Sequence, residues 1–286
     1  AITTGDNNTL VGYQAGDALT TGTGNTAVGY LALSAEDGDG RNVAVGEQAL
    51  QSLNAGSDSY NTAVGYEAGE DMTSGVHNTL IGGRAGDKLT DADYNVAMGV
   101  NALGTDTKGN KSTAIGVAAL QTQNFTSSTD AYNTAVGWNA GLSVTTGTEN
   151  TLIGSQAGDA VTSSARNVAI GYLALSANTL SSRNTAIGRS ALENLNVGSS
   201  GEGLNTAVGH GSGATVTTGI HNTFVGVSSG GATDDGSYNV AVGKDALGSG
   251  NCGNVNVAVG WSAGVAITGD NNVCMGNAAG YVITSG

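Results

Sequence analysis

Hydrophobic and polar positions recur along this chain with a period of about 17 residues. A phrase close to Asn-Thr-Ala-Val-Gly occurs sixteen times, and the glycines that end it lie 16 to 21 residues apart. We number each repeat from this glycine as position 0. Position −4 is Asn in fifteen copies and Ser112 in one, −3 is Thr or Val, −2 is Ala, Leu, Phe or Cys, and −1 is Val, Ile or Met. The β-branched content of −3 to +1 predicts a short strand between turns rich in Gly, Asn, Asp and Thr.

A second short strand is expected near positions +7 to +10, where phrases such as ALTT (18–21) and SVTT (143–146) occur. Two short strands and two turns in about 17 residues make one coil of a β-solenoid. The predicted fold is therefore all-β, a parallel β-roll or β-helix of about sixteen coils. At about 4.8 Å per coil, the predicted rod is on the order of 77 Å long.

We predict that residues 1–286 form a single repeat domain, because stacked repeats share one continuous core. Position −2 is large at Leu10, Leu80, Leu152 and Phe224 and is Ala in the coils between them, so four-coil units start near residues 1, 71, 143 and 215. Both termini fall inside the repeat phrase without a distinct capping sequence. We therefore expect the chain to be a segment of a longer fibre or to stack end to end.

The recurrent Asn and Gly residues are interpreted as structural. Asn tolerates the left-handed conformation at a corner, and stacked Asn side chains hydrogen-bond amide to amide along a solenoid. The glycine indicates a bend or a close approach of two backbones, not a phosphate-binding loop. Representative structural repeat residues are Asn25, Val28, Gly29, Asn61, Val64, Gly65, Asn133, Val136, Gly137, Asn205, Val208 and Gly209.

Positions −2 and −1 are both apolar in every copy. Successive residues of a strand point to opposite faces, so an isolated thin solenoid exposes the ladder of Val, Ile and Met at −1 to water. This ladder implies a second buried surface. Other copies of the same chain around a common axis are the favoured source, and a bend at the glycine within one chain is the alternative.

The phrases NTAVGYLALSA, NTLIGSQAGDA and NTAIGRSALEN resemble the head repeats of trimeric autotransporter adhesins, which follow the pattern N-S-x-A-I-G-x-x-A. They are also similar to the NTAVGYxAL…TTG repeats of bacteriophage tail fibres and related bacterial surface proteins. The resemblance covers essentially the whole chain. It implies a left-handed parallel β-roll wound as a homotrimer, and it carries over no ligand-binding residue.

Composition excludes several functional classes. The chain has 48 Gly, no Pro, a net charge of −14 and nine Lys and Arg residues, which argues against binding to nucleic acid. No apolar run is long enough to insert into a membrane. Cys252 and Cys274 are interpreted as small buried residues. Neither a nucleophile elbow nor a His, Ser and Asp grouping stands out, so we predict that the protein is not an enzyme.

Extra residues occur between the third and fourth coils of three units, at 51–60, 121–132 and 193–204. Loops on a rigid scaffold are common binding sites, although these segments also fit tolerated insertions that cover a seam. The side chain after the fourth-coil glycine is aromatic or His, which suggests either a spaced row for stacking on sugars or packing beneath the loops. The candidate receptor contacts are Tyr60, Tyr66, Phe125, Tyr132, Trp138, His210 and Trp261.

Paired carboxylates are the clearest chemical signal. Asp37 with Asp39, and Asp91 with Asp93, offer oxygen ligands of the kind that Ca²⁺ prefers, although the later Glu of an EF-hand is missing. Solvated polar turns are the simpler interpretation of these pairs. We expect no other cofactor.

The favoured function is a structural fibre or adhesin segment on a virion or bacterial surface, which presents loops for host or cell attachment. Its expected partners are copies of itself and a cell-surface glycan or protein receptor, and its expected location is extracellular. A self-assembling extracellular filament subunit is one alternative. An ice-binding or Ca²⁺-dependent solenoid is another, although Val interrupts the Thr rows at position −3.

Overall fold

The computed structural model describes residues 3–38, 40–198, 201–231 and 233–283. These residues form short strands, turns and bends, with no helix among them. They group into two compact units, Ala1–Thr146 and Gly147–Gly286, each of which is described by itself. The fold is a parallel β-solenoid of about sixteen coils, with eight repeat strands in each unit. The all-β solenoid prediction is thus confirmed, whereas the single repeat domain stays a prediction.

In the first unit, each three-residue strand occupies positions −3 to −1 and pairs in parallel with the next, so that equivalent repeat positions lie side by side. Thr9 pairs with Thr26 and Val11 with Val28, for example. The strands are β1 (Thr9–Val11), β2 (Thr26–Val28), β3 (Val43–Val45), β4 (Thr62–Val64), β5 (Thr79–Ile81), β6 (Val96–Met98), β7 (Gly109–Asn110), β8 (Thr113–Ile115), β9 (Thr129–Asp130) and β10 (Thr134–Val136).

The second unit follows the same plan, and Thr151 pairs with Val168 at position −3. Its strands are β11 (Thr151–Ile153), β12 (Val168–Ile170), β13 (Thr185–Ile187), β14 (Thr206–Val208), β15 (Thr223–Val225), β16 (Val240–Val242), β17 (Val257–Val259), β18 (Ala266–Ile267), β19 (Val273–Met275) and β20 (Val282–Ile283).

The expected second strand at +7 to +10 is wrong for most coils. Within the described ranges, β18 and β20 lie at +6 and +7 and pair with each other. β7 and β9 form a second short pair, at the corner just before the next repeat strand. Elsewhere the chain after the repeat glycine forms tight turns, such as Leu19 N–H to Gly16 O at 3.2 Å. The cause is backbone conformation, because residues at +2 and +4 are left-handed even when they are not glycine, as at Leu31 (φ 56°) and Leu33 (φ 52°).

The repeat glycine is required by close backbone approach. Gly12 has a φ of 134°, which L side chains rarely adopt, and a Cβ atom built on it lies 2.5 Å from the carbonyl oxygen of Gly29 in the next coil. The same arrangement recurs from coil to coil in both units. The prediction of a close backbone approach at this glycine is therefore confirmed.

Each coil encloses a narrow core built from positions −2, +3, +4 and +7. In the second coil, Ala27, Ala32 and Leu33 fill the first three of these positions and are fully buried. Because so little apolar volume is available per coil, one large residue must be balanced by small neighbours.

The four-coil period follows from this volume balance. Leu80 at −2 fills the space above two glycines at +4, since a Cβ on Gly69 lies 2.7 Å from Leu80 Cδ1 and one on Gly86 lies 2.8 Å from Leu80 Cδ2. The second and third coils of a four-coil unit have Ala at −2 and Leu at +4, as Ala27 and Leu33 do. The fourth coil has Ala at −2 and Gly at +4, because the large −2 residue of the next four-coil unit fills that space. In the second unit, Phe224 is flanked in the same way by glycines of its own and the preceding coil.

Candidate functional site

Buried asparagines form a ladder inside each unit, interrupted in the first unit by Ser112. Asn42 N–H donates to Asn25 Oδ1 at 2.9 Å, Asn61 N–H donates to Asn42 Oδ1 at 2.9 Å, and Asn61 Nδ2 donates across the coil to Gly75 O at 2.7 Å. The ladder thus runs mainly from amide oxygen to backbone N–H. The expectation that these asparagines are left-handed is wrong, because the left-handed residue is the preceding one at −5, such as Tyr60 with φ 52°.

The remaining representative asparagines and glycines occupy the same places. Asn133 and Asn205 are about 1% exposed, and Gly65, Gly137 and Gly209 have φ values of 144°, 140° and 138°.

Ser112, the only −4 residue that is not Asn, is supported by a buried polar network. Gln123 Nε2 donates to Ser112 Oγ at 3.0 Å and to Asp106 Oδ2 at 2.6 Å, and Asn133 Nδ2 donates to Gln123 Oε1 at 2.8 Å. Asp106 Oδ1 accepts the backbone N–H of Phe125 at 3.0 Å. The Phe125 side chain is only 6% exposed, so its assignment as a receptor contact is corrected to a packing role.

A second ladder at position −6 was not anticipated from the sequence. Val76 N–H donates to Asp93 Oδ1 at 2.8 Å, and Asp93 N–H donates to Asn110 Oδ1 at 2.8 Å. In the second unit, Ile220 N–H donates to Ser237 Oγ at 3.1 Å. Position −6 varies among Asp, Asn, Ser, Thr and apolar residues. This variation hides the ladder from inspection of the repeat phrase.

One face of the repeat sheet in each unit carries the side chains of positions −3 and −1. Val28, Val136 and Val208 are half-buried there, and Val64 and Met98 are each 37% exposed. All sixteen coils have Thr or Val at −3 and Val, Ile or Met at −1, so neither column contains a charge. The −1 side chains point away from the coil's own core, and the alternative of a bend that hides them within one chain is not observed.

Aromatic side chains border this face. At position −5, His77 stacks between Tyr60 and Tyr94, with ring centroids 5.4 and 4.9 Å apart. At position +1, Tyr66 lies 5.8 Å from the Arg84 guanidinium, and a hydrogen bond with the neighbouring Glu67 carboxylate raises the pKa of Tyr66.

Trp138 and Trp261, also at +1, are 52% and 58% exposed. His210 at the same position is exposed as well, and its Nε2 lies 3.1 Å from Arg189 Nη1. These side chains lie at the surface and not beneath the insertions.

Each insertion is tied to the preceding coil by an ion pair at equivalent positions, a cation at −5 of the third coil and a carboxylate at −7 of the fourth. The pairs are Arg41 with Asp58, Lys111 with Asp130, and Arg183 with Glu202. The hydrogen bond between Lys111 and Asp130 raises the pKa of the lysine and lowers that of the aspartate.

A tyrosine covers the cation in the first two insertions. Tyr60 lies 5.5 Å from the Arg41 guanidinium, and Tyr132 lies 5.2 Å from the Lys111 ammonium. Both tyrosines remain about half exposed, at 48% and 53%. They therefore have a structural contact in addition to any contact with a receptor.

Two of the four candidate Ca²⁺ ligands, Asp91 and Asp93, already contact other groups of the protein. Asp91 Oδ2 lies 3.4 Å from Lys108 Nζ, Asp93 belongs to the −6 ladder, and Asp37 is exposed. Asp39 lies outside the described residues. Within the described ranges, no group of three or more His, Cys, Asp and Glu side chains is arranged to hold a metal ion. Calcium binding at these turns stays a prediction.

In the part of the chain that the structure describes, no helix has the length and apolar character needed to cross a membrane. Comparison of the chain with protein-family models, with curated proteins and with solved structures found no match in any of the three. The fold defines the chain as a β-solenoid repeat protein, and its function has to be argued from its own surfaces.

Proposed function

We propose that this chain is a structural fibre segment that assembles as a homotrimer on a virion or bacterial surface and presents its insertions for host or cell attachment. The observation that carries the proposal is the uncharged sheet face at positions −3 and −1. The coil's own core is already filled by positions −2, +3, +4 and +7, so this apolar face is surplus to the folding of one chain.

A second and third copy of the chain are suitable partners for this face. The columns are in register from coil to coil, so identical copies arranged around a parallel axis bring equivalent rungs together at every level. Full burial of a Val or Ile side chain contributes about 1.5–3 kcal/mol. In several coils the −1 side chain is still more than a third exposed, so about a third of that free energy remains to be gained when a second copy covers it.

The insertions and the exposed aromatic residues supply the surface for attachment. Tyr66, Trp138 and Trp261 offer aromatic rings to a cell-surface glycan or a protein receptor. They lie in turns directly after the repeat strands, and their backbone is bonded to the next coil, as where Arg84 N–H donates to Tyr66 O and Ala278 N–H donates to Trp261 O, each at 2.8 Å. Binding would therefore not require ordering of a flexible segment.

Solution mass by light scattering tests the assembly, with and without a chelator. A mass near three chains is expected, and collapse on chelation would instead indicate structural Ca²⁺. Met98→Lys adds a charge to the centre of the face and should dissociate the assembly. Ser74→Lys, an exposed residue outside the face, should not. A single-chain mass for the unmodified protein would refute the fibre assembly.

The same face supports a second candidate function, ice binding by a monomer. Ten of the sixteen coils place Thr at −3, where most of these side chains are half-buried, and Val interrupts the column at residues 43, 96, 168, 240, 257 and 273. A single-chain mass together with thermal hysteresis would favour this function. A mass that grows with protein concentration would favour a filament subunit.

A further inference from the structure

An open cleft lies beside the ion pair of the third insertion. The cleft has a volume of about 200 Å³ and lies in the second unit. Its polar groups come from Arg166, Arg183, Glu202, Ser163 and Ser182, and Leu180 contributes apolar surface.

The cation beside the cleft has Leu, and not an aromatic residue, at the position that covers the cation in the first two insertions. In the first two insertions Tyr60 and Tyr132 lie over the cation, and the equivalent residue in the third is Leu204. The three residues share one backbone conformation, with φ values of 52°, 50° and 52°. The change from an aromatic ring to Leu therefore alters the cover over Arg183 without altering the corner that carries it.

Hydrogen bonds fix the walls of the cleft. Ser182 N–H donates to Gly201 O at 2.9 Å, and Gly203 N–H donates to Ser182 O at 2.9 Å, so the insertion is paired with the neighbouring coil on this side. Ser182 Oγ accepts the Ala165 N–H at 3.0 Å. The polar groups are thus held in place before a ligand arrives, which lowers the entropy lost on binding.

The charges around the cleft are balanced. Arg166 forms a bidentate pair with Glu149, at 2.9 and 3.3 Å, and Arg183 pairs with Glu202. The pairing with Arg166 lowers the pKa of Glu149. The cleft therefore offers both donors and acceptors with no surplus positive charge, a combination that suits neighbouring hydroxyl groups better than an anion.

We propose that this cleft binds one neutral, polyhydroxylated group, a single sugar ring of an uncharged surface glycan. Its volume is below the range of about 300–1,000 Å³ for drug-sized ligands, so it fits one ring and not a longer chain. This inference rests on the proposed role in attachment and assigns the contact to one insertion, with the first two insertions serving as structural seams.

Saturation-transfer NMR of the whole chain tests this assignment. The probes are the methyl glycosides of glucose, galactose, mannose and N-acetylglucosamine, with N-acetylneuraminic acid as the anionic comparator. At least one neutral glycoside should bind, and Leu204→Tyr should weaken its binding at least tenfold by restoring the cover. Arg183→Ala should have a similar effect, since it removes a donor from the wall.

Val255→Tyr is the matched control, because Val255 is an exposed, left-handed −5 residue of the same unit outside the cleft. It should leave glycoside binding unchanged. Binding that survives both Leu204→Tyr and Arg183→Ala would overturn the location, and binding of none of the neutral glycosides, or of the anionic sugar alone, would overturn the ligand class.

Light scattering on the same samples separates this inference from the proposed function. A trimer that binds no neutral glycoside would overturn only the cleft, whereas a single chain that binds one through Arg183 would overturn only the fibre. Thermal unfolding of each variant shows that it remains folded.

Discussion

Replacement of Leu80 by Ala tests the volume balance that sets the four-coil period. Leu80 is fully buried and fills the space above two glycines. The substitution removes three carbon atoms at about 0.8 kcal/mol each, and the cavity that remains adds a further loss, so we expect destabilisation of about 3–4 kcal/mol.

A second substitution should restore much of this loss. Gly86→Leu in the Leu80→Ala background recreates the pattern of the third coil, where Ala44 at −2 accompanies Leu50 at +4 and Leu53 at +7, the position that Leu89 holds here. The backbone permits it, since Gly86 has φ 58° and Leu33 has φ 52°. Gly86→Leu alone should destabilise by about 1–3 kcal/mol, because its Cβ would lie 2.8 Å from Leu80 Cδ2.

The assay is a double-mutant cycle by denaturant unfolding at one fixed protein concentration, since self-association would otherwise change the apparent stability. The double variant should be more stable than Leu80→Ala by at least about 1 kcal/mol, and the coupling energy should be about 2–3 kcal/mol. Additive losses from the two substitutions would refute the volume balance, and the four-coil period would then need another cause.

Three further predictions concern the backbone, the inner ladder and pH. Gly82→Ala should destabilise the protein by about 3 kcal/mol or more in thermal unfolding, because the new Cβ lies 2.7 Å from the next coil's carbonyl group. The control Gly56→Ala, whose Cβ has no heavy atom within 4 Å, should cost about 1 kcal/mol. Asn78→Ala should cost about 1–3 kcal/mol for each buried polar group that loses its hydrogen-bond partner, of which the Asn95 N–H is one. Faster hydrogen exchange of the Asn95 amide would confirm the loss. Burial raises the pKa of Asp87, so stability should increase as pH falls from neutral through that raised pKa. Asp87→Asn should reduce this dependence in melts across that range, and the part that remains should come from Asp159 and Glu70, whose pKa values burial also raises.

The repeat strands could be predicted because they depend on two local signals that agree. Residues −3 to −1 are β-branched or small and apolar, and the glycine that follows ends the strand. The turns after that glycine could not be predicted in the same way. They depend on positive φ at residues such as Leu31 and Leu33, whose identities do not favour that conformation. Leu33 at +4 is fully buried in the core, whereas Leu31 at +2 is only half-buried, so burial accompanies the left-handed conformation at +4 alone.

Burial of side chains within the insertions was harder to predict from the sequence than the repeat strands. Phe125 resembles an exposed loop residue in sequence, yet Asp106 and Gln123 form a polar network that fixes the adjacent backbone and seats the ring. The signal was present in the sequence as the isolated Ser112, since the missing amide at −4 has to be replaced by another side chain. Its replacement, Gln123, comes eleven residues later and is visible only once the coil is closed.

The three insertion ion pairs can be found by aligning the repeats, but the role of the residue beside each pair can be found only from the structure. Alignment on the repeat glycines places a cation at −5 and a carboxylate at −7 in all three sets, and it also shows Leu204 in place of tyrosine. That difference has no obvious meaning until the structure shows the tyrosine ring lying over the cation. In the third insertion, where Leu204 replaces the ring, a polar cleft lies beside the ion pair. One side chain at the same corner geometry therefore distinguishes the insertion that we propose as a binding site from the other two.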